Sequence, residues 1–295
     1  MNNTARVKAI PFITSEELLK KESMPIEYIP LKYENVIVGQ EYGPLSYIVK
    51  PHSHLKTLRL LENSQLNGHE HMHTDLLLPS EIWGWARTLS KYFGRLNAIA
   101  VTNSRWEIFG SALADQLLIA STEISNKYIR RGLPYIEAIT TTKNEHGQIL
   151  LKAKETVLLT SDITAPFYVE KDKPAIHLPE SPIYDVTRKV YFRHQWNGNE
   201  WKNNMHVDDY AQSFGYKRGL PEFIVYMDWI FMTVFSRLGE MAFNRICIET
   251  DKILPIYEGE AIRIVSEKTA PFSYDVRFFN STRERLQGKI FHLPK

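Results

Sequence analysis

Two long blocks of the chain share one order of hydrophobic patterns. In PSEIWGWARTLSKYFG (79–94), Ile82, Trp83, Ala86, Leu89 and Phe93 fall at the spacing of a helix face, and Gly94 supplies a stop. Four runs follow, AIAVTNSRWEIFG, DQLLIASTEISNKYI, PYIEAITTTKN and GQILLKAKETVLLT. They are β-rich and separated by Gly, Pro and Asn, so they predict strands, with a hairpin turn at NEHG (144–147). The second block repeats this order. GLPEFIVYMDWIFMTVFSRLG (219–239) predicts a longer apolar helix ended by glycine. MAFNRICIETDKILPI, EGEAIRIVSEKTA, FSYDVRFFNST and LQGKIFHL predict a second antiparallel meander.

The offset between the blocks is roughly 140 residues, close to half the chain and too long for a solenoid unit. The expectation is two fused copies of one small α+β domain. Each copy is preceded by an extended run and a polar, partly helical stretch: PLSYIVKPHSHLKTLRLLENSQ in the first, YDVTRKVYFRHQWNGNEWKNNMHVDDYAQSFG in the second. The expected division is an N-terminal extension at 1–35, a first domain at 36–160, a linker at 161–183 and a second domain at 184–295. The extension carries a short helix at 15–21, begun by Ser15. The prolines and charges of the linker suit an extended connector.

Composition narrows the function. The chain has 295 residues, 43% hydrophobic and 24% charged, which is ordinary for a globular protein with a core that needs no disulfides. A net charge of +2 makes no case for nucleic acid or a membrane surface as partner. The lone cysteine, Cys247, sits in an apolar run and reads as a packed core thiol. The N-terminal sequence has no signal-peptide pattern, and the longest apolar segment is interrupted by Asp228, so a cytoplasmic protein is expected. The chain contains no P-loop, no dinucleotide-binding glycine fingerprint and no G-x-S-x-G element, which leaves redox-cofactor and serine-hydrolase chemistry without support.

The richest chemistry lies between 192 and 220. Phe192-Arg193, Asn197-Gly198, Asn203, His206, Asp208, Tyr210-Ala211, Gly215-Tyr216 and Gly219-Leu220 together resemble the MaoC-like, (R)-specific enoyl-thioester hydratase and dehydratase family. The likeness is greatest to its double-hotdog branch, which includes mesaconyl-CoA hydratases and 3-hydroxyacyl-thioester dehydratases. The resemblance implies an α+β double hotdog, two fused domains each with a central helix wrapped by an antiparallel sheet. It also implies a hydro-lyase acting on 3-hydroxyacyl or 2-enoyl thioesters, carried on coenzyme A or an acyl carrier protein, with no organic or metal cofactor. The fused copies form a pseudo-dimer, so a monomer or a homodimer is expected.

Under this resemblance His206 is the acid/base residue, with Asn203 three positions before it. Gly219 and Leu220 stand at the head of the central helix, where backbone N–H groups can hold a developing oxyanion. The family motif runs Asp-any-Asn-Pro-Ile-His, and the ungapped match is Trp201-Lys202-Asn203-Asn204-Met205-His206. Trp201 stands where the motif has its aspartate, and indole cannot transfer a proton as a carboxyl does. Glu200, Asp208 and Asp209 lie near as substitutes, Asp208 with a more structural role. Glu222, in the first turn of the expected helix, is a further carboxylate against the ligand. Trp201, Leu220, Glu222 and Asp208 are therefore expected along the substrate, with His73 and Asp75 as second-line candidates from the first copy.

Alternating histidines in HEHMH (69–73), with His52 and His54 upstream, invite a zinc reading. Their place just before the first helix favours a pocket rim or polar loop, and no metal site is expected. Arg130-Arg131 and Lys217-Arg218 are read as solvated basic edges rather than phosphate contacts. Two other functions remain open at this point: a hotdog thioesterase using Glu222 or Asp228 with water, and a non-catalytic acyl-binding or scaffold protein lacking the usual acid.

Overall fold

A computed structural model describes residues 31–66, 75–94, 96, 99–170, 178–194 and 204–294, the side chains of 251 and 252 excepted. The helix expected at 15–21 lies outside these residues, as do His69, His71, His73, Glu200, Trp201 and Asn203.

Ten strands form one sheet: β1 (Glu41–Ile48), β2 (Ile99–Ile108), β3 (Leu117–Arg130), β4 (Leu133–Asn144), β5 (Ile149–Leu159), β6 (Tyr184–Lys189), β7 (Ile246–Ile253), β8 (Ala261–Ala270), β9 (Ser273–Phe279) and β10 (Glu284–His292). Their order is β1-β3-β4-β5-β2-β7-β10-β9-β8-β6. From each outer edge inward, the same permutation is walked: first strand, third, fourth, fifth, second. The internal repeat predicted from hydrophobic pattern is therefore a repeat of topology. The halves join where β2 pairs antiparallel with β7, Ser104 opposite Thr250 and Trp106 opposite Ile248. Arg105 and Glu249, opposed in the same register, form an ion pair across this seam.

Strand burial follows the period of two that pattern demands. In β4 every second residue from Pro134 to Thr142 is buried. The NEHG turn is closed by Asn144, whose Oδ1 accepts from the N–H groups of His146 and Gln148 at 3.1 and 3.0 Å.

Among the described residues, five α-helices accompany the sheet: α1 (Pro51–Asn63), α2 (Pro79–Ile82), α3 (Trp85–Phe93), α4 (Asp208–Ser213) and α5 (Phe223–Leu238). α5 is buried without interruption from Val225 to Val234, as expected of a helix apolar on all sides. α1 buries one face, His54, Thr57, Leu58 and Leu61. The first half's helix differs from expectation. The 79–94 segment breaks at Trp83-Gly84 into α2 and α3. A Cβ on Gly84 would collide with the Cβ of Ala120 on β3, so only glycine lets the chain press this close to the sheet. α2 packs against α5, bringing the central helices of the two halves together. One core includes residues of both halves, among them Trp85, Trp106, Trp229 and Phe278.

The connector is not merely extended. Phe167 and Tyr168 dock on the segment around α4, where Tyr168 stacks on Tyr216 with ring centroids 4.6 Å apart. The Phe214 carbonyl accepts from both Phe167 and Tyr168 N–H groups. Glu170 takes Lys217, Arg283 and Arg285 at 3.0, 2.7 and 3.2 Å. Met205, Ala211 and Phe214 form a second small core beneath this contact.

Candidate active site

His206 lies in a loop shaped by its neighbour. Asn204, at the position where the motif has proline, is buried, and its Oδ1 accepts the His206 N–H at 2.9 Å. An asparagine bonding two residues ahead turns the backbone, so the departure from the motif has a structural use. The Nδ1 of His206 donates to the Leu220 carbonyl. That bond places the basic lone pair of the neutral ring on Nε2. Burial lowers the pKa of the imidazole below its ordinary value, against the opposing charge of Glu222. Phe192 packs its ring nearly at right angles to the imidazole, 6.2 Å between centroids.

The predicted oxyanion donors are a correction. Helix α5 begins at Phe223 with Glu222 as its N-cap, so Gly219 does not head it. The Gly219 N–H donates to Asp208 Oδ1 at 2.8 Å, and the Leu220 N–H to the Met205 carbonyl at 2.8 Å. Both are committed within the fold. Pro221 explains the shift, because the residue before a proline is driven out of the α region. Glycine at 219 has another purpose: a Cβ there would collide with the His206 carbonyl. Asp208 itself is exposed, with its Oδ1 taken by the Gly219 N–H. Asp75 is exposed in the other half; its carbonyl accepts from Ala114 at 3.2 Å, and among the described residues it has no hydrogen bond or ion pair to the His206 group.

Glu222 is the hub. Its Oε2 accepts the Arg193 N–H at 2.9 Å; its Oε1 accepts both the N–H and the Nδ1 of His194, each at 2.9 Å. Burial pushes this carboxyl up, but the His194 hydrogen bond, the nearby imidazoles and the Arg193 N–H outweigh it and hold the pKa down at about 2. Behind it, the buried guanidinium of Arg193 pairs with Asp228 of α5 and reaches Ser80 Oγ of α2 at 3.1 Å from each terminal nitrogen. Burial raises the Asp228 carboxyl to about 6 despite Arg193. The interrupted apolar helix is thus explained by a buried hydrogen-bonded carboxylate. Close by in the first half, His54 Nδ1 meets Glu81 Oε2 at 2.7 Å, and the same oxygen takes the Leu78 N–H at 2.9 Å. His52, two residues away, is exposed. No group of three or more metal-ligating side chains occurs among the described residues.

A cleft of about 480 Å³ runs beside the Lys189–Tyr191 segment, lined also by Leu60, Asn63, Arg218 and Gly259. Tyr191 bridges cleft and cluster: its ring meets Trp229 of α5 at 6.2 Å, and burial and the Asp228 charge raise its pKa.

Hydrophobic and polar spacing alone does not single out His194, Asn204, Glu81 or the Arg193–Asp228 pair as members of the site. Arg193 and Asp228 are 35 positions apart, and only the packing of the β6 extension on α5 joins them. Asn204 was legible, since asparagine two before a histidine in a polar run is a turn signal.

Comparison with solved structures identifies the architecture. A MaoC-like dehydratase superposes with a TM-score of 0.62 at 13% identity, covering 89% of this chain and all of the other. A Mycobacterium tuberculosis protein described as having a double hotdog fold gives 0.57 at 12% identity over 90% and 98%. The chain is a double hotdog. Its likeness as a double hotdog extends to an acyl-ACP thioesterase from Bacteroides thetaiotaomicron, with a TM-score of 0.50 at 10% identity over 89% and 100%. No family model and no curated protein matches the sequence of this double hotdog. Among its described residues, no helix is long and apolar enough to cross a membrane.

Proposed function

We propose that this double hotdog interconverts 3-hydroxyacyl and 2-enoyl thioesters, by dehydration or hydration. The observation that carries the reading is His206: partly buried, with Nδ1 committed to the Leu220 carbonyl and Nε2 left as the basic nitrogen, beside an ionised Glu222. A neutral imidazole held in one tautomer suits abstraction of the proton next to a thioester carbonyl. The enolate-like oxygen that results would be met by the amides of Phe223 and Ile224, the first two residues of α5. In this reading Asn203 orients the ligand and Trp201 contacts it, as the resemblance in sequence implies.

The carrier is coenzyme A or an acyl carrier protein, both ending in phosphopantetheine. The cleft between Lys189 and Arg218 suits such a chain, with cationic side chains toward its phosphate. The chemistry is proton transfer, for which side chains suffice. The thioesterase alternative finds less support: Glu222 is saturated with donors, and Asp228 is buried against Arg193. The test is incubation with 2-enoyl and 3-hydroxyacyl thioesters on either carrier, followed by absorbance of the conjugated thioester. Interconversion that falls at least 10²-fold in His206→Ala is expected. Free thiol release without interconversion would refute the reading.

A further inference from the structure

We propose that His194 is the second proton-transfer group of the His206 site, giving a proton to the departing hydroxyl while His206 takes one from the neighbouring carbon. This rests on the hydratase and dehydratase reading.

The motif's carboxylic acid is absent, since Trp201 occupies its position. Glu222 is a poor replacement as a proton donor. Three hydrogen bonds to its two oxygens favour the carboxylate, and it stays ionised far below neutral pH. Yet these bonds show what Glu222 does hold. One oxygen grips both the backbone and the ring of His194, which fixes the imidazole against Glu222. The anchor extends inward through Arg193 to Asp228 and Ser80, so both halves of the molecule brace this ring. The His194 side chain is 60% exposed, which lets it exchange protons with solvent between turnovers. His206, by contrast, is enclosed and kept neutral. Glu222 links the two rings: it bonds His194 directly, and the charge of either imidazole helps hold its carboxyl ionised. Tyr191 and Asp228 are the further titratable groups facing this cluster, with Arg193 its fixed cation and Glu81 the approach from α2.

In dehydration, His206 Nε2 takes the proton next to the thioester carbonyl. The released electron pair forms the C=C bond as the C–O bond breaks. Protonated His194 gives its proton to the hydroxyl, which leaves as water. His206 now holds the substrate's proton and His194 has lost its own to the departing water, and solvent exchange restores both rings. Hydration runs the same steps backwards.

His194→Gln in the full chain tests the assignment, at a side chain that takes no part in the core. The expected result is a fall in kcat of about 10²-fold with little change in KM, and loss of one limb of the pH profile. Added imidazole should restore part of the activity of His194→Ala. Unchanged kcat and both limbs intact in His194→Gln, in an enzyme that His206→Ala inactivates, would overturn the proposal. A second measurement needs no turnover. Ring-nitrogen NMR of the ligand-free protein should show the His206 midpoint rise in His194→Gln, as the neighbouring charge is removed; an unmoved midpoint counts against the pairing. If the pairing holds and no thioester is turned over, the reaction reading fails and not the coupling.

Discussion

Among the described residues, no cation pairs with the carboxyl of Glu155 on β5. It is fully buried, and Trp106 Nε1–H donates to its Oε1 at 2.8 Å. Burial raises its pKa from 4.5 to about 8, with the Trp106 and Trp83 indoles pulling only weakly the other way. Between those two values the folded chain binds more protons than the unfolded one. Stability therefore falls as pH rises through that window and levels off above it. Glu155→Gln should flatten the slope and gain on the order of 4 kcal/mol relative to wild type at pH 9, measured by urea unfolding across pH; an identical slope in the variant would contradict this. Arg193 and Asp228 give a second test. Arg193→Met should cost about 3–5 kcal/mol, because it strands a buried carboxylate. The double variant Arg193→Met/Asp228→Leu should recover much of the loss, and simple additivity in the cycle would show the two side chains are uncoupled.

At the scale of elements, the four strands of each meander and the all-apolar α5 were legible, because strand alternation and a continuously buried helix leave strong periodic traces. The helix beginnings were less so. The apolar run suggests a start at Gly219, but Pro221 forbids helix at Leu220, and that local rule prevails. Gly84 was an equally local signal for the break between α2 and α3, hidden by apolar residues that continue on helical spacing. The docking of the connector was not legible: prolines and charges describe its backbone, while Phe167 and Tyr168 find their partners only in three dimensions. Gly219→Ala tests the closest of these approaches. The added methyl would push the His206 backbone away from Leu220 and break the Nδ1 bond. Activity should drop by 10²-fold or more with global stability reduced by about 1–3 kcal/mol, read by thioester turnover alongside thermal melting. Full activity in this variant would show that the loop relaxes without cost.

Across the whole molecule, the halves are tied by the β2–β7 pairing, by α2 against α5 and by one large core to which both contribute. The main interior is shared, so unfolding should be one cooperative event. Calorimetry should give equal calorimetric and van't Hoff enthalpies; two resolved transitions would show that the halves melt independently. The site, too, belongs to neither half, since Ser80 from one braces Arg193 from the other.

This last arrangement has a consequence for inheritance. In a pair of identical subunits every substitution is made twice, and a change that improves one cleft is forced upon the other. Here the two halves are free to drift apart. One sets Ser80 and Glu81 at its helix start and the other Glu222, and His54 and His206 have taken different partners. Two halves in one chain can specialise a single cleft, because a substitution in one half is not repeated in the other.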